Sequence, residues 1–277
     1  MPELPEVELI SRSLNSLVAG RTIRSATLLR QRLAPHTSPE VFAEKLTAAK
    51  INFVHRRGKH ILFDLTGKQT LMVHLRMSGR FSLRADEEID PKFTHAVFYL
   101  ENGEKLVFDD QRHFGYMRFS ATDDLPQTKE LSKLAPEPFS DEFSPGYLFD
   151  ACRSSRRSLK EVLLDQTKVC GLGNIYACEA MFLAGVDPRK AAFKISKAKA
   201  AELHGRIQEV LSAAIRYAET REVDRSYLEG SYFSGLGNGS WFVYDREADA
   251  CGVCSDPIRR IRQGGRSTYF CRKCQRR

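Results

Sequence analysis

The first eighteen residues carry apolar side chains at the spacing of an α-helix. These side chains recur at intervals of three and four residues, at Val7, Ile10, Leu14 and Leu17. Because Gly20 follows as a stop signal, the pattern predicts a helix from about Glu3 to Val18. The first turn of this helix would place the carboxyl groups of Glu3 and Glu6 beside Pro2.

Residues 22–119 follow a different pattern, in which short apolar runs are bounded by turn residues. One further helix is predicted there, with Ser38 as its cap. The remaining runs predict strands at Thr22–Arg30, Ile51–Arg57, His60–Leu65, Gln69–Arg76, His95–Leu100, Lys105–Asp109 and Gly115–Ser120. Asn102-Gly103 is a hairpin signal between two of these strands. So many short strands predict a sandwich or a barrel-like pair of sheets.

Residues 131–146 contain three prolines and several acids, and we interpret this segment as an interdomain linker. Beyond it the sequence pattern predicts helices. A capping box at Ser158-Leu159-Lys160-Glu161 predicts a helix that runs to about Gln166. A second helix, from Ile175 to Ala184, follows a glycine-bearing turn, and such a pair is typical of a helix–turn–helix element. Ser196 is predicted to cap a long final helix that ends near Glu219.

The basic residues are concentrated at the end of the chain. The 277 residues have a formal net charge of +8, and residues 251–277 contain eight arginines and lysines against one acid, Asp256. This segment therefore carries +7, which indicates a polyanionic partner, most simply nucleic acid, although a solubilising tail is the alternative. The absence of long apolar runs and the acids near the start predict a soluble intracellular protein without a signal peptide.

The same segment contains a metal motif. Cys251, Cys254, Cys271 and Cys274 form two C-x2-C pairs separated by sixteen residues, the spacing of a four-thiolate zinc site. Because four cysteines leave no ligand position open, the predicted Zn²⁺ is structural and not catalytic. It would fold a hairpin that has too little apolar content to fold alone.

Pro2 directly follows Met1, so removal of Met1 would leave a secondary amine at the chain terminus. An α-amino group has a pKa of about 7.7–8.0 and is partly unprotonated near neutrality. Its attack on a carbonyl-like carbon would give an iminium ion, which acts as an electron sink. The structural alternative is a proline that only begins the first helix, where proline is well tolerated.

Three separated motifs occur together in this chain: residues 1–8 (Met-Pro-Glu-Leu-Pro-Glu-Val-Glu), residues 172–177 (Leu-Gly-Asn-Ile-Tyr-Ala) and the four-cysteine ribbon. In this order, and over essentially the whole chain, they resemble the formamidopyrimidine-DNA glycosylase family, bacterial base-excision enzymes related to endonuclease VIII. Leu4 and Val7 favour the formamidopyrimidine branch of that superfamily.

The resemblance implies an α+β fold of two domains. An N-terminal catalytic β-sandwich flanked by helices would occupy residues 1–130, and the linker residues 131–146. A helix–two-turn–helix DNA-binding domain would occupy residues 147–228. A candidate lesion-contacting loop, residues 229–242, and the zinc-ribbon hairpin, residues 243–277, would complete the chain.

The resemblance also implies a reaction, the excision of oxidised purines such as formamidopyrimidine and 8-oxoguanine, followed by β,δ-elimination at the abasic site. Pro2 would be the nucleophile that attacks the sugar C1′ and forms a Schiff base. Glu3 would assist sugar ring opening and proton transfer. Lys59, at a hairpin tip, would reach the lesion and a neighbouring phosphate, and Glu6 would lie near the damaged base. For both glutamates the alternative is stabilisation of a helix dipole.

Two loops would fill the space that an extruded nucleotide leaves in the stack. By resemblance, Met77 and Phe114 would be apolar wedges and Arg112 would pair with the orphaned base. For Met77 and Phe114 the alternative is ordinary core packing. His74 would contact a phosphate, and Arg76, where the family often has glycine, would be one more phosphate ligand.

The remaining implied contacts are to phosphates. Asn174 would bind phosphate at a helix start, with an N-cap role as the alternative, and Lys160 would be a second phosphate clamp. Arg266, at the tip of the ribbon hairpin, would grip the phosphates that flank the lesion. Three nearby arginines would add salt-sensitive affinity, at Arg259, Arg260 and Arg262.

The implied partner is double-stranded DNA with a damaged base or an abasic site. We expect a monomer without membrane association, placed in the bacterial cytoplasm at the nucleoid, with one structural Zn²⁺ as its cofactor. Residues 229–240 depart from the family's usual base-capping loop, so the chemistry transfers better than the lesion preference. The alternatives are an endonuclease VIII-like preference for oxidised pyrimidines, a noncatalytic zinc DNA-binding protein, and an amino-terminal-proline tautomerase, which would need neither ribbon nor basic tail.

Overall fold

The computed structural model describes residues 1–219 and 241–276. The chain divides into two compact units. The first is built on Met1–Ser132, and the second on Lys133–Tyr217 together with the described residues from 241 onward.

Two helices and two antiparallel sheets form the first unit. The helices are α1 (Leu4–Val18) and α2 (Pro39–Leu46). The strands are β1 (Ile23–Leu28), β2 (Ile51–Arg57), β3 (His60–Leu65), β4 (Gln69–His74), β5 (Gly79–Ala85), β6 (Thr94–Leu100), β7 (Glu104–Asp110) and β8 (Tyr116–Ala121). One sheet has the order β1-β6-β7-β5 and the other β2-β3-β4-β8. Apolar side chains from both sheets and both helices share one core, and the Phe63 and Phe81 rings meet across it at 5.5 Å. The predicted N-terminal sandwich is therefore confirmed.

Helix α1 forms where the apolar spacing predicts it, with Glu3 as its N-cap. Val7, Ile10 and Leu14 are buried in the sandwich core. Each such fully buried aliphatic side chain stabilises the fold by about 1.5–3 kcal/mol. The buried stripe fixes the rotation of α1 about its own axis. It therefore also fixes the direction in which the first turn presents its carboxyl groups.

Strand β5 was not predicted from the pattern. Its sequence, Gly-Arg-Phe-Ser-Leu-Arg-Ala, carries two arginines that mask the alternation. Those charges are matched after folding, because Arg80 pairs with Asp109 at 2.8 Å and Arg84 pairs with Glu88 at 3.3 Å. The other strands agree with the prediction to within two residues at each end, and Asn102 and Gly103 lie in the turn between β6 and β7, as predicted.

The second unit contains four helices and one hairpin among its described residues. They are α3 (Pro145–Arg153), α4 (Leu159–Leu163), α5 (Asn174–Leu183), α6 (Lys197–Glu219), β9 (Arg259–Gln263) and β10 (Arg266–Phe270). The capping box at Ser158 and Glu161 is present, but α4 ends three residues before the predicted Gln166. Helix α3 begins at Pro145, so the last two residues of the predicted linker belong to a helix.

The hairpin of β9 and β10 packs on α5 through a small apolar cluster. The cluster joins Cys178 and Phe182 of α5 to Ile258, Tyr269 and Cys271 of the ribbon. Gly264 and Gly265 form the turn, with φ of +52° and +76°. These angles lie in the left-handed region that favours glycine. The turn therefore brings Arg266 to the exposed end of β10.

Candidate functional site

The amino terminus is surrounded by charged side chains. Burial lowers the pKa of the Met1 amine below its ordinary value. The carboxylates of Glu3 and Glu6 act against that shift, and the cations of Lys59 and Arg112 add to it. Since Pro2 is the next residue, a processed chain would present its secondary amine close to the same four groups. The structure thus brings together four predicted site residues that are up to 109 positions apart in the chain.

Glu3 and Glu6 are held by each other. The Glu3 amide donates to Glu6 Oε2 at 2.7 Å, and the Glu3 side chain accepts from the Glu6 amide. This capping box keeps both side chains only 3% exposed, next to the buried Pro2. Both glutamates therefore have a structural role at the start of α1, the kind of role that the helix-dipole alternative assigned to them. The capping box also fixes two carboxyl groups beside the terminal amine.

Lys59 lies in a two-residue turn that joins Arg57 of β2 to His60 of β3. Gly58 supplies the other turn residue, with φ of +58°. Lys59 is only 6% exposed, whereas a lysine on a turn is ordinarily solvated. The turn therefore directs its ammonium group inward, where it acts on the terminal amine.

Two histidines lie beside this turn. The rings of His60 and His74 meet edge to face at 4.7 Å. Burial lowers the pKa of His60 to about 4, and burial followed by the charge of His60 holds the pKa of His74 well below its ordinary value. His74 Nδ1 accepts from the Arg76 amide at 3.0 Å, so its other ring nitrogen remains to donate. A neutral His74 can therefore meet a phosphate as a hydrogen-bond donor. The sequence reasoning missed His60, whose only signal was its place next to Lys59.

The predicted wedges are exposed. Met77 is 42% exposed and Phe114 is 46% exposed, so neither is packed in a core. The Arg112 guanidinium lies over the Phe114 ring, 5.4 Å from its centre. Large apolar side chains that remain in water are suited to insertion between bases.

The four ribbon cysteines form one compact cluster. Their sulfur atoms all lie within 4.8 Å of one another, with Cys251 and Cys274 at 3.9 Å and Cys254 and Cys271 at 3.4 Å. Zinc–sulfur bonds of about 2.3 Å in a tetrahedron require sulfur atoms about 3.8 Å apart. The donor set and its spacing therefore fit one structural Zn²⁺, as predicted.

The phosphate-clamp role predicted for Lys160 disagrees with the position of its side chain. It is fully buried, and its Nζ donates to the Ser267 carbonyl at 2.9 Å and to Thr268 Oγ1 at 2.6 Å. With its ammonium group buried and two of its three donors bound to protein oxygens, Lys160 does not present its charge at the surface where a phosphate would bind. The side chain instead ties α4 to β10, next to the exposed Arg266.

Asn174 acts on the same strand. Its Nδ2 donates to the Ser267 carbonyl at 3.0 Å. Gly173, and not Asn174, is the N-cap of α5, so the Asn174 amide belongs to the first helical turn. The side chain positions the hairpin, and the backbone at this helix start remains the candidate for a phosphate contact.

Glu179 is a buried residue that the sequence reasoning missed. It accepts hydrogen bonds from the amides of Phe242, Val243 and Tyr244 at 2.7, 2.9 and 2.9 Å. Burial raises its pKa, and these amides oppose that shift. Glu179 thus fastens residues 242–244 to α5. The predicted lesion-contacting loop lies outside the described residues except for its last two positions.

Three family models match the chain. They are the formamidopyrimidine-DNA glycosylase N-terminal domain at residues 1–117, the formamidopyrimidine-DNA glycosylase H2TH domain at residues 134–224, and a zinc finger found in FPG and IleRS at residues 249–277. Fold, cysteine cluster and matches define a two-domain protein with a helix–two-turn–helix region and a zinc finger. The chain belongs to the formamidopyrimidine-DNA glycosylase family.

Curated relatives match over the full length. The formamidopyrimidine-DNA glycosylases of Ruegeria pomeroyi and Bacillus subtilis are each 39% identical, and the alignments cover 99–100% of both chains. Lactococcus lactis Fpg bound to abasic-site DNA has a TM-score of 0.90 at 30% identity, covering 99% of this chain and 100% of that one. Its complex with N7-benzyl-Fapy-dG DNA has a TM-score of 0.91 at 32% identity, covering all of both chains. Among the described residues, no helix is long and apolar enough to cross a membrane.

Proposed function

We propose that this protein is a bifunctional DNA glycosylase and AP lyase of base-excision repair. The observation that carries the proposal is the chain start, where Pro2 is buried, the terminal amine is partly buried, and Glu3, Glu6, Lys59 and Arg112 act on it. Burial favours the neutral amine, which is the nucleophilic form. Relatives named as formamidopyrimidine-DNA glycosylases over the full length support the same activity.

In the proposed reaction the Pro2 nitrogen attacks C1′ of the damaged nucleotide, and the bond from C1′ to the base breaks. The proton that the amine loses balances the proton that the departing base takes up. Glu3 donates a proton to O4′ as the sugar ring opens, which leaves an iminium ion at C1′. The iminium acidifies the C2′ proton. Loss of that proton expels the 3′ phosphate, and a second elimination expels the 5′ phosphate.

The other predicted residues bind DNA in this proposal. Met77 and Phe114 fill the space of the extruded nucleotide, and Arg112 pairs with the base left opposite. Glu6 and Lys59 lie near the lesion, and Lys59 also reaches a neighbouring phosphate. Phosphates are bound by His74, by the helix start at Asn174 and by Arg266, and Arg76 is a further candidate.

The proposed substrates are oxidised purines, formamidopyrimidine and 8-oxoguanine. Lactococcus lactis Fpg with N7-benzyl-Fapy-dG DNA supports this class. A second candidate is a preference for oxidised pyrimidines, since another complex of the Lactococcus lactis protein contains DNA with an oxidised pyrimidine. Excision rates on duplexes with one defined lesion each would decide between the two.

We place the protein in the bacterial cytoplasm, associated with the nucleoid, and we keep the division at residues 1–130, 131–146, 147–228, 229–242 and 243–277. The bacterial sources of the relatives support the first statement. The boundary between the two compact units, after Ser132, supports the division near residue 130.

Borohydride trapping tests the proposed chemistry. Reduction of the Schiff base should join the processed protein covalently to abasic-site DNA. A variant with one residue inserted before Pro2 should give no adduct through that position. Pro5→Ala, which changes the nearby proline in the first turn of α1, is the matched control and should still be trapped. Failure of the correctly processed protein to form any adduct would refute the catalytic assignment.

A further inference from the structure

Asp110 is a buried carboxylate that none of the roles above uses. It is the last residue of β7 and is fully buried. Its Oδ1 accepts from the Ser78 hydroxyl and, at 3.2 Å, from the Arg112 amide. Its Oδ2 accepts from the Gly115 amide at 2.6 Å. One side chain thus receives three hydrogen bonds from two separate loops.

These two loops carry the three residues proposed to replace the extruded nucleotide: Met77 and Phe114 in the stack, and Arg112 against the orphaned base. The first, between β4 and β5, carries Met77. The second, between β7 and β8, carries Arg112 and Phe114. Ser78 Oγ also accepts from the Arg112 amide at 3.0 Å, so Ser78 and Asp110 together form a direct bridge between the loops.

The packing beneath the loops leaves little freedom for a different arrangement. Gly79 is paired with Asp110 across β5 and β7. A side chain added at Gly79 or at Gly115 would place its Cβ 2.8 Å from the Phe108 ring. Carbon atoms do not approach so closely, so both loops begin or end on backbone that fits against Phe108 only as glycine.

We propose that Asp110 is a positioning residue that holds the Met77 loop and the Arg112–Phe114 loop in register, so that the three side chains enter the DNA as one unit. Hydrogen bonds to a carboxylate are about twice as strong as neutral ones, and a buried carboxylate requires them. Exposed side chains that are already aligned lose less conformational freedom on insertion. The inference rests on the function proposed above and concerns base extrusion, not the chemistry at Pro2.

The test compares two rates in the full-length zinc-loaded protein under single-turnover conditions. The first is excision of a paired oxidised purine, and the second is cleavage at a preformed abasic site. Asp110→Asn should lower the first rate about 10- to 100-fold, because misplacement by about an ångström has effects of that size. The second rate should change less than about threefold, since an abasic nucleotide has no base to unstack.

Asp109→Asn is the matched control. Asp109 precedes Asp110 in the same strand, is 3% exposed and pairs with Arg80 at 2.8 Å, so the substitution removes the same charge from an equally buried site. It touches neither loop through that pair, and both rates should stay within about threefold of the unmodified protein. Equal losses of both rates in Asp110→Asn, with or without a lower melting temperature, would mean a merely structural role and would overturn the proposal.

Ser78→Ala and a mismatched substrate sharpen the result. Ser78→Ala removes the two hydrogen bonds that the Ser78 hydroxyl makes in the bridge, to Asp110 and from the Arg112 amide, and should lower excision about 3- to 10-fold. Placing the lesion in a short mismatched bubble lowers the cost of extrusion, so the deficit of Asp110→Asn should shrink below about threefold. A deficit that stays the same in the bubble would overturn the proposal. Loss of borohydride trapping in the unmodified protein would instead refute the function on which it rests.

Discussion

Glu3 and Glu6 hold each other within one helical turn, whereas the strand that carries Arg266 is held by side chains 93 and 107 positions earlier in the chain. The first arrangement is a local capping box, which forms whenever the helix forms. The second depends on the whole second unit, because Lys160 and Asn174 meet the Ser267 carbonyl only after α4, α5 and the hairpin have packed. Substitutions at the chain start should therefore affect the chemical step and not DNA binding. Substitutions that disturb the ribbon should weaken DNA binding, even where the substituted residue, such as Lys160, is distant in the chain from Arg266.

The largest expected effect lies at the chain start. Glu3→Gln keeps the size of the side chain and its capacity to accept from the Glu6 amide, but it removes the titratable proton. Single-turnover excision should fall about 10²- to 10⁴-fold, the range for loss of a general acid or base. DNA affinity, measured by equilibrium binding at fixed salt, should change less than about threefold. A large loss of affinity would contradict the separation of chemistry from binding.

Loss of the metal should have the next largest effect. Cys251→Ser removes one thiolate, and the ribbon hairpin should unfold because its metal supplies much of its stability. Metal content and DNA affinity should fall together, the affinity about 100-fold, as measured by zinc analysis and by equilibrium binding. Cys152→Ser, a buried cysteine of α3 outside the cluster, is the control and should retain its zinc. Unchanged binding without metal would contradict this account of the ribbon.

Lys160→Met tests transmission to the hairpin. The substitution keeps the apolar stem and leaves the Thr268 hydroxyl and one interaction of the Ser267 carbonyl without their donor. A buried acceptor that loses its donor costs about 1–3 kcal/mol, so DNA affinity should fall about 10-fold. The slope of log affinity against log salt should stay unchanged, because no phosphate contact is removed. Lys133→Met, at an exposed site of the same unit, should have little effect. A slope reduced by about one in Lys160→Met would restore the phosphate-clamp role.

Arg266→Ala provides the contrast. Arg266 is exposed at the hairpin tip, and we propose that it contacts phosphate directly. Its removal should weaken binding roughly 3- to 10-fold on every sequence and reduce the salt slope by about one. Binding titrations at several salt concentrations measure both quantities. Unchanged affinity and slope would remove Arg266 from the interface.

The smallest expected effect concerns pH. The pKa of His60 is lowered to about 4 in the folded protein, so between the unfolded value of about 6.5 and pH 4 the unfolded chain binds more protons. The contribution of His60 to the stability of the first unit should therefore fall as the pH falls, by roughly 1–2 kcal/mol from pH 6.5 to pH 5. His60→Gln should lose less over this range, and His36→Gln, at an exposed site, should behave like the unmodified protein. Hydrogen exchange as a function of pH, read separately in each unit, checks this. The ribbon segment contains no histidine, so this histidine effect should be absent from it.

Much of this molecule was predictable because its signals are local. The spacing of Val7, Ile10 and Leu14 predicted α1, and the two C-x2-C pairs predicted the zinc site. Both depend on residues close in sequence or on a ligand set that allows one arrangement. Strand β5 escaped prediction because Arg80 and Arg84 break the alternation. Their charges are matched by partners that the pattern does not reveal.

The sequence by itself determined the family, the order of the domains and the kinds of residue that could perform the chemistry. Only the tertiary structure decided which of those residues face solvent. It buried Lys160 and Lys59, left Met77 and Phe114 in water, and gathered two loops on Asp110. The physical reason is that burial and long-range hydrogen bonding depend on which surfaces pack together. A residue's type and its immediate neighbours do not contain that information.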